Sequence, residues 1–85
     1  MPSGAKPAVG PLSRHVAGVL RAEAARSGMN QTTLAAAIPV SQSQMSKYLG
    51  GRRPMNLDEL AGACDALGLD MAEVISEAKA RADLH

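Results

Sequence analysis

The stretch Asn30–Pro54, NQTTLAAAIPVSQSQMSKYLGGRRP, decides the fold. It reads as two short helices joined by a tight break. Asn30 carries the side chain of an N-cap, and Leu34, Ala35 and Ile38 then share one helical face. Pro39 predicts the end of that helix, because a prolyl ring turns the residue before it away from helical geometry. Ser41 opens the next helix, and Gln44 completes the S-x-x-Q pattern of a capping box.

At about 100° per residue, Gln42, Ser43, Ser46, Lys47 and Gly50 fall on one arc of roughly 140° of this second helix. Met45, Tyr48 and Leu49 fall on or near the opposite side. Gly50-Gly51 stops the helix, and Arg52-Arg53 follow at once. One face is apolar and the other is small, polar and able to form forked hydrogen bonds. That is the layout of a helix-turn-helix, whose second helix enters the DNA major groove.

From about Val16 to Ile75 the chain resembles the Cro/C1-type (XRE-like) helix-turn-helix proteins of phages and bacteria. The resemblance rests on Gln31 with Leu34-Ala35, on Val40 through Lys47, and on Gly51 and Pro54. It implies an all-α fold, a five-helix lambda-repressor-like domain, with a double-stranded DNA operator as partner and no cofactor. In that family the glutamine matching Gln31 lies beside the one matching Gln42, bonds phosphate and braces its amide. Three positions depart from the family. Pro39 stands where many members have the turn glycine, and proline cannot adopt positive φ, so the turn is expected to close differently. Leu49-Gly50-Gly51 replaces a frequent Glu-Asn-Gly, and Ala24 replaces an arginine that makes an interior ion pair.

Eighty-five residues allow one domain with a small core. Net charge is only +1, but it is unevenly spread. Residues 1–55 hold seven basic residues and one acid, Glu23, whereas residues 56–85 hold two basic residues and seven acids. A positive front carrying the polar helix suits phosphate on one side. Tyr48 is the only aromatic residue, which argues against a stacking platform for single-stranded nucleic acid. Cys64 is the only cysteine and suits a reducing cytoplasm. No apolar run approaches the roughly 20 residues of a membrane span, and no hydrophobic signal core opens the chain. Alanine richness, with Arg outnumbering Lys, suits a GC-rich genome such as that of an actinobacterium or its phage.

Residues 1–11, with three prolines and two glycines, read as a flexible arm. The domain is expected over 12–78, with residues 79–85 as a frayed tail. A first helix is expected after a Ser13 cap, with Val16, Val19, Leu20 and Ala24 on its stripe and Gly28 closing it. Arg14, Arg21 and Arg26 lie off the stripe; Arg14 or Arg21 could reach phosphate, but they read first as a solvated face, and His15 as a surface histidine. Ala35, Ala36 and Ala37 permit close approach of the two motif helices. A fourth helix starts at the Asn56 cap with Glu59 completing a box, and Leu57, Leu60, Ala61, Cys64 and Leu67 predict its buried stripe. Gly68 ends it. Asp70 and Glu73 form a third capping box that opens a fifth helix, with Met71, Val74 and Ile75 on its apolar side.

Reading a major groove requires paired donors and acceptors, which Gln offers to adenine N6 and N7. Gln42, in the first turn of the second motif helix, is the candidate base contact. Ser43 and Lys47 can reach base edges or phosphate, and Ser46 could be small only so that the helix sits close. Gln44 lies off the arc and is expected to cap. Arg52 and Arg53 can bind phosphate or enter a narrow minor groove. The amides near Asn56 and Leu57 form a weaker phosphate site, since Asp58 and Glu59 already bring negative charge there.

The reading is a sequence-specific double-stranded DNA-binding transcriptional regulator, a Cro-like repressor acting by operator occupancy. A DNA-binding antitoxin, a restriction-control regulator, or a protein-interaction module using the fold without DNA are alternatives. A homodimer is expected by analogy, with helix 5 and Leu69 as candidate interface, although the same residues could finish the core. No nucleophile–base pair, metal-ligand cluster or phosphate loop suggests an enzyme, a metal or a small-molecule ligand.

Overall fold

Pro11 starts the first helix, α1 (Pro11–Ser27), where its fixed φ is already helical and its missing N–H leaves no bond unmade. The computed structural model describes residues 9–84. Most of the expected arm therefore lies outside the described residues. Its last residues do not: Val9 is buried, Gly10 is the N-cap, and the helix begins ahead of the expected Ser13 cap. At the far end Gly28 takes a left-handed φ of 75°, and the Met29 N–H donates to the Ala24 carbonyl at 3.0 Å.

Four further helices follow: α2 (Gln31–Ala37), α3 (Gln42–Leu49), α4 (Leu57–Leu67) and α5 (Met71–Asp83). This is the all-α, five-helix architecture expected. Asn30 Oδ1 accepts from the Thr33 N–H at 2.9 Å, and Ser41 Oγ from the Gln44 N–H at 3.0 Å. Asn56 and Glu59 make a complete reciprocal capping box. Asp70 accepts from the Glu73 N–H at 3.1 Å, half of the reciprocal box expected there. Between α2 and α3 the Ile38–Pro39 peptide is cis, and the Val40 N–H closes the turn onto the Ala35 carbonyl at 2.8 Å. Proline thus occupies the turn without a positive φ.

All five helices feed one core. Leu20, Leu34, Met45 and Cys64 are its largest fully buried side chains, joined by Val19, Ala35, Tyr48, Leu49, Leu60, Ala63 and Val74. Among the described residues no polar or charged side chain other than the tyrosine is buried in it. Ala24 is itself buried. Helix α1 packs along α5, α2 against α3 and α4. Gly62 of α4 faces the end of α2, where a Cβ would meet the Ile38 Cα in ordinary contact at 3.6 Å.

The sequence pattern misplaced several surfaces. Leu57 is 71% exposed, and Ala63 is fully buried instead. The buried arc of α4 centres on Leu60, Ala63 and Cys64, which puts Leu57 roughly 70° off its middle, in the first turn, where the helix overhangs the core. Only Ala35 of the alanine run is buried; Ala36 and Ala37 face outward. The expected frayed tail is helical through Asp83. Ala78 anchors it in the interior, and the pairs Lys79–Asp83 (2.8 Å) and Arg81–Glu77 (2.7 Å) run along its surface. Leu69, Met71 and Ile75, half-buried, pack against the core.

Candidate nucleic-acid interface

Helix α3 separates its two faces cleanly. Met45, Tyr48 and Leu49 are buried; Gln42, Ser43 and Lys47 are exposed, and Ser46 is half-buried between them. Gln31, the first residue of α2, is also exposed. No hydrogen bond joins Gln31 to Gln42 among the described residues, and none, nor any ion pair, holds the side chains of Lys47, Arg52 or Arg53. These groups are available to a ligand at no cost in internal bonds.

The loop after α3 carries the two arginines back over the helix end. The Arg52 N–H donates to the Lys47 carbonyl at 2.9 Å. Arg52 Nε lies 3.4 Å from where a Cβ on Gly50 would stand, so the guanidinium side chain drapes over bare backbone. Gly51 takes a left-handed φ of 71°, with the Arg14 side chain beside it. Lys47, Arg52, Arg53 and Arg14 thus gather at one end of α3, while the acids of the C-terminal third ride on α4 and α5. The uneven charge of the sequence becomes a positive edge.

Eight residues make too short a helix to be stable alone, so its pose is set by what grips it. Two polar grips were hidden in the sequence. Arg21 Nη1 donates to the Leu49 carbonyl at 2.6 Å, placing a cation on the C-terminal end of α3. The second grip is a relay. Gln44 Nε2 donates to the Tyr48 hydroxyl at 3.0 Å, and that hydroxyl donates to Glu59 Oε2 at 2.6 Å. The other carboxylate oxygen, Oε1, accepts from the Asn56 N–H at 2.9 Å.

These bonds correct two expectations. The backbone of Gln44 serves the cap, but its side chain goes to Tyr48 rather than back to Ser41. Arg14 and Arg21 are not a merely solvated face: Arg14 Nη1 donates to the Val9 carbonyl at 3.1 Å, and Arg21 clamps α3. The signal was present, since a seven-residue spacing puts both arginines on one face of α1. The Asn56 amide is already taken by Glu59, which leaves the start of α4 a poor phosphate site.

The relay also sets protonation. The Tyr48 hydroxyl, then the Asn56 N–H, hold the Glu59 carboxyl below the usual glutamate range, with Arg53 adding to the effect. Burial, then the bond to Glu59, pushes the Tyr48 phenol up. Burial likewise raises the Cys64 thiol, ahead of the nearby Asp65 and Asp70. Among the described residues no group of His, Cys, Asp and Glu could hold a metal, and no helix is long and apolar enough to cross a membrane.

Comparison with known proteins agrees with this geometry. Residues 15–75 match the model of a helix-turn-helix domain family. Two crystal structures of the clp gene regulator ClgR from Corynebacterium glutamicum are similar to this chain, each at 33% identity. One has a TM-score of 0.78 over 86% of this chain and 78% of that one; the other has 0.74 over 82% and 91%. Among curated proteins nothing matches. The chain belongs to the helix-turn-helix domain family, as an XRE-like DNA-binding protein.

Proposed function

We propose that this protein is a sequence-specific regulator of transcription that reads double-stranded DNA with α3 and represses by occupying its operator, as Cro-like proteins do. The observation that carries the reading is the outer face of α3, where Gln42, Ser43 and Lys47 stand exposed beside the Arg52–Arg53 loop. Gln42 contacts a base, Ser43 and Lys47 contact base edges or phosphate, Ser46 lets the helix sit close, and Gln31, Arg52 and Arg53 grip the backbone. The likeness to a gene regulator supports a role in transcription. The work is done in the bacterial cytoplasm, where Cys64 stays reduced.

A homodimer on a two-fold operator is part of the proposal. An apolar cleft of about 150 Å³ supports a protein partner of some kind: Leu12, Val16, Met55, Leu57 and Ile75 line it, and Leu12 and Leu57 leave apolar surface exposed at its rim. The same cleft favours the second reading, a protein-interaction module that does not use DNA. Selection of duplexes from a randomised library, followed by affinity measurements at several salt concentrations, separates the two. The proposal expects a defined site, bound more weakly as salt rises. Absence of any duplex binding at low salt would support the interaction module instead.

A further inference from the structure

We infer that Tyr48 is a positioning residue for sequence discrimination: its hydroxyl, held between Gln44 and Glu59, locks the rotation of α3 against α4 and so aims the reading face. The inference rests on the DNA-reading role proposed above.

The buried contacts of Met45 and Leu49 hold α3 down, but apolar packing is non-directional and tolerates a roll of the helix about its axis. With side chains at about 5–6 Å from the axis, a roll of about 20° displaces an outward group by about 2 Å. Bidentate recognition of a base tolerates only about 0.5 Å. Phosphate contacts by long arginines on a loop absorb such a shift. A directional restraint on α3 therefore matters for choosing a sequence and little for binding DNA at all.

Tyr48 supplies that restraint. Its ring is buried in the core, at 4% exposed, which carries the hydroxyl between α3 and α4, where the two hydrogen bonds fix its position. The hydroxyl both accepts from Gln44 on its own helix (3.0 Å) and donates to Glu59 on the next (2.6 Å). Glu59 is not free to follow a moving tyrosine, because its second oxygen is bonded to the Asn56 N–H in the cap of α4. The chain Gln44–Tyr48–Glu59–Asn56 thus runs from α3 to the N-cap of α4. The bond from Arg21 holds the C-terminal end of α3 and the Val40–Ala35 bond closes the turn before it; the Tyr48 relay is the side-chain restraint between α3 and α4.

Tyr48→Phe keeps the ring and removes only the hydroxyl. Glu59, half-buried, regains water as a partner, so the variant folds. Glu59→Gln is the second variant: one oxygen must then serve where two did. The test measures affinity for a duplex selected by the wild-type protein and for a scrambled duplex, at one salt concentration. For both variants the ratio of the two is expected to fall roughly tenfold, the order of losing one hydrogen bond to a charged group, through weaker binding of the selected duplex alone. The double variant should lose no more than the larger single loss. A lowered melting temperature with an unchanged ratio would make Tyr48 a structural residue only and overturn the inference. Wild-type protein that selects no site would overturn the DNA reading and take this inference with it.

Discussion

Arg21, on α1, donates from Nη1 to the carbonyl oxygen of Leu49, the last residue of α3, at 2.6 Å. The bond satisfies one of the carbonyls a helix leaves open at its C-terminus and sets a positive charge against the negative end of its dipole. Arg21→Ala should therefore cost about 1 kcal/mol of stability. For a domain of this size that is a fall in Tm of about 4–8 °C. Arg21→Lys should recover part of it. Thermal denaturation followed by circular dichroism checks this, and equal melting of Arg21→Ala and wild type would remove the clamp from the account.

Acid stability should carry the signature of Glu59. Its folded pKa lies below the ordinary glutamate value of 4.5, so its bonds to Tyr48 and Asn56 stabilise the fold fully above that pH. The contribution is lost as pH falls through the depressed folded value. Below pH 4.5 the wild type should lose stability more steeply than Glu59→Gln, which has no charge to titrate. Denaturant midpoints measured between neutral and acid pH test the difference. Parallel pH profiles would contradict it.

Cys64 is 1% exposed, and burial raises its thiol. The thiolate is the reactive form, so the native protein should modify slowly with a disulfide reagent, at a rate that follows opening of the fold. In denaturant the single thiol should react at once. Fast, stoichiometric modification of native protein would show that the core around Cys64 is looser than its packing implies.

Arg52 and Arg53 should act on all duplexes alike. Each change to Ala is expected to weaken binding uniformly and to lower the slope of log affinity against log salt by about one. Binding of a scrambled duplex across a salt series gives the slopes. An unchanged slope would place that arginine away from phosphate.

The sequence reveals the helices readily because their punctuation is local. Asn30, Ser41 and Asn56 cap where their side chains suggest, and Gly28 and Gly68 close helices with left-handed φ. The exposed face of α3 is legible for the same reason, since eight residues of helix at fixed angular spacing leave little choice. What is not legible depends on contacts distant in sequence. Arg21 meets Leu49 across 28 positions, and Tyr48 meets Glu59 across a loop. Helical periodicity assigns a residue to a face but does not say which neighbour lies opposite. Leu57 shows the converse: its spacing fits the stripe of α4, yet the helix starts beyond the edge of the core and leaves it 71% exposed. Pro39 likewise signals a break, while the way the chain closes around it is settled only by the Val40–Ala35 bond.

The most direct test of the reading face compares the duplexes that wild type and Gln42→Ala select from one randomised library. If Gln42 bonds a base edge, the variant should bind the wild-type site about 1–3 kcal/mol more weakly and accept any base at one position of it, with the other positions unchanged. Identical selected sites and equal affinities for the two proteins would contradict the claim that α3 reads DNA through Gln42.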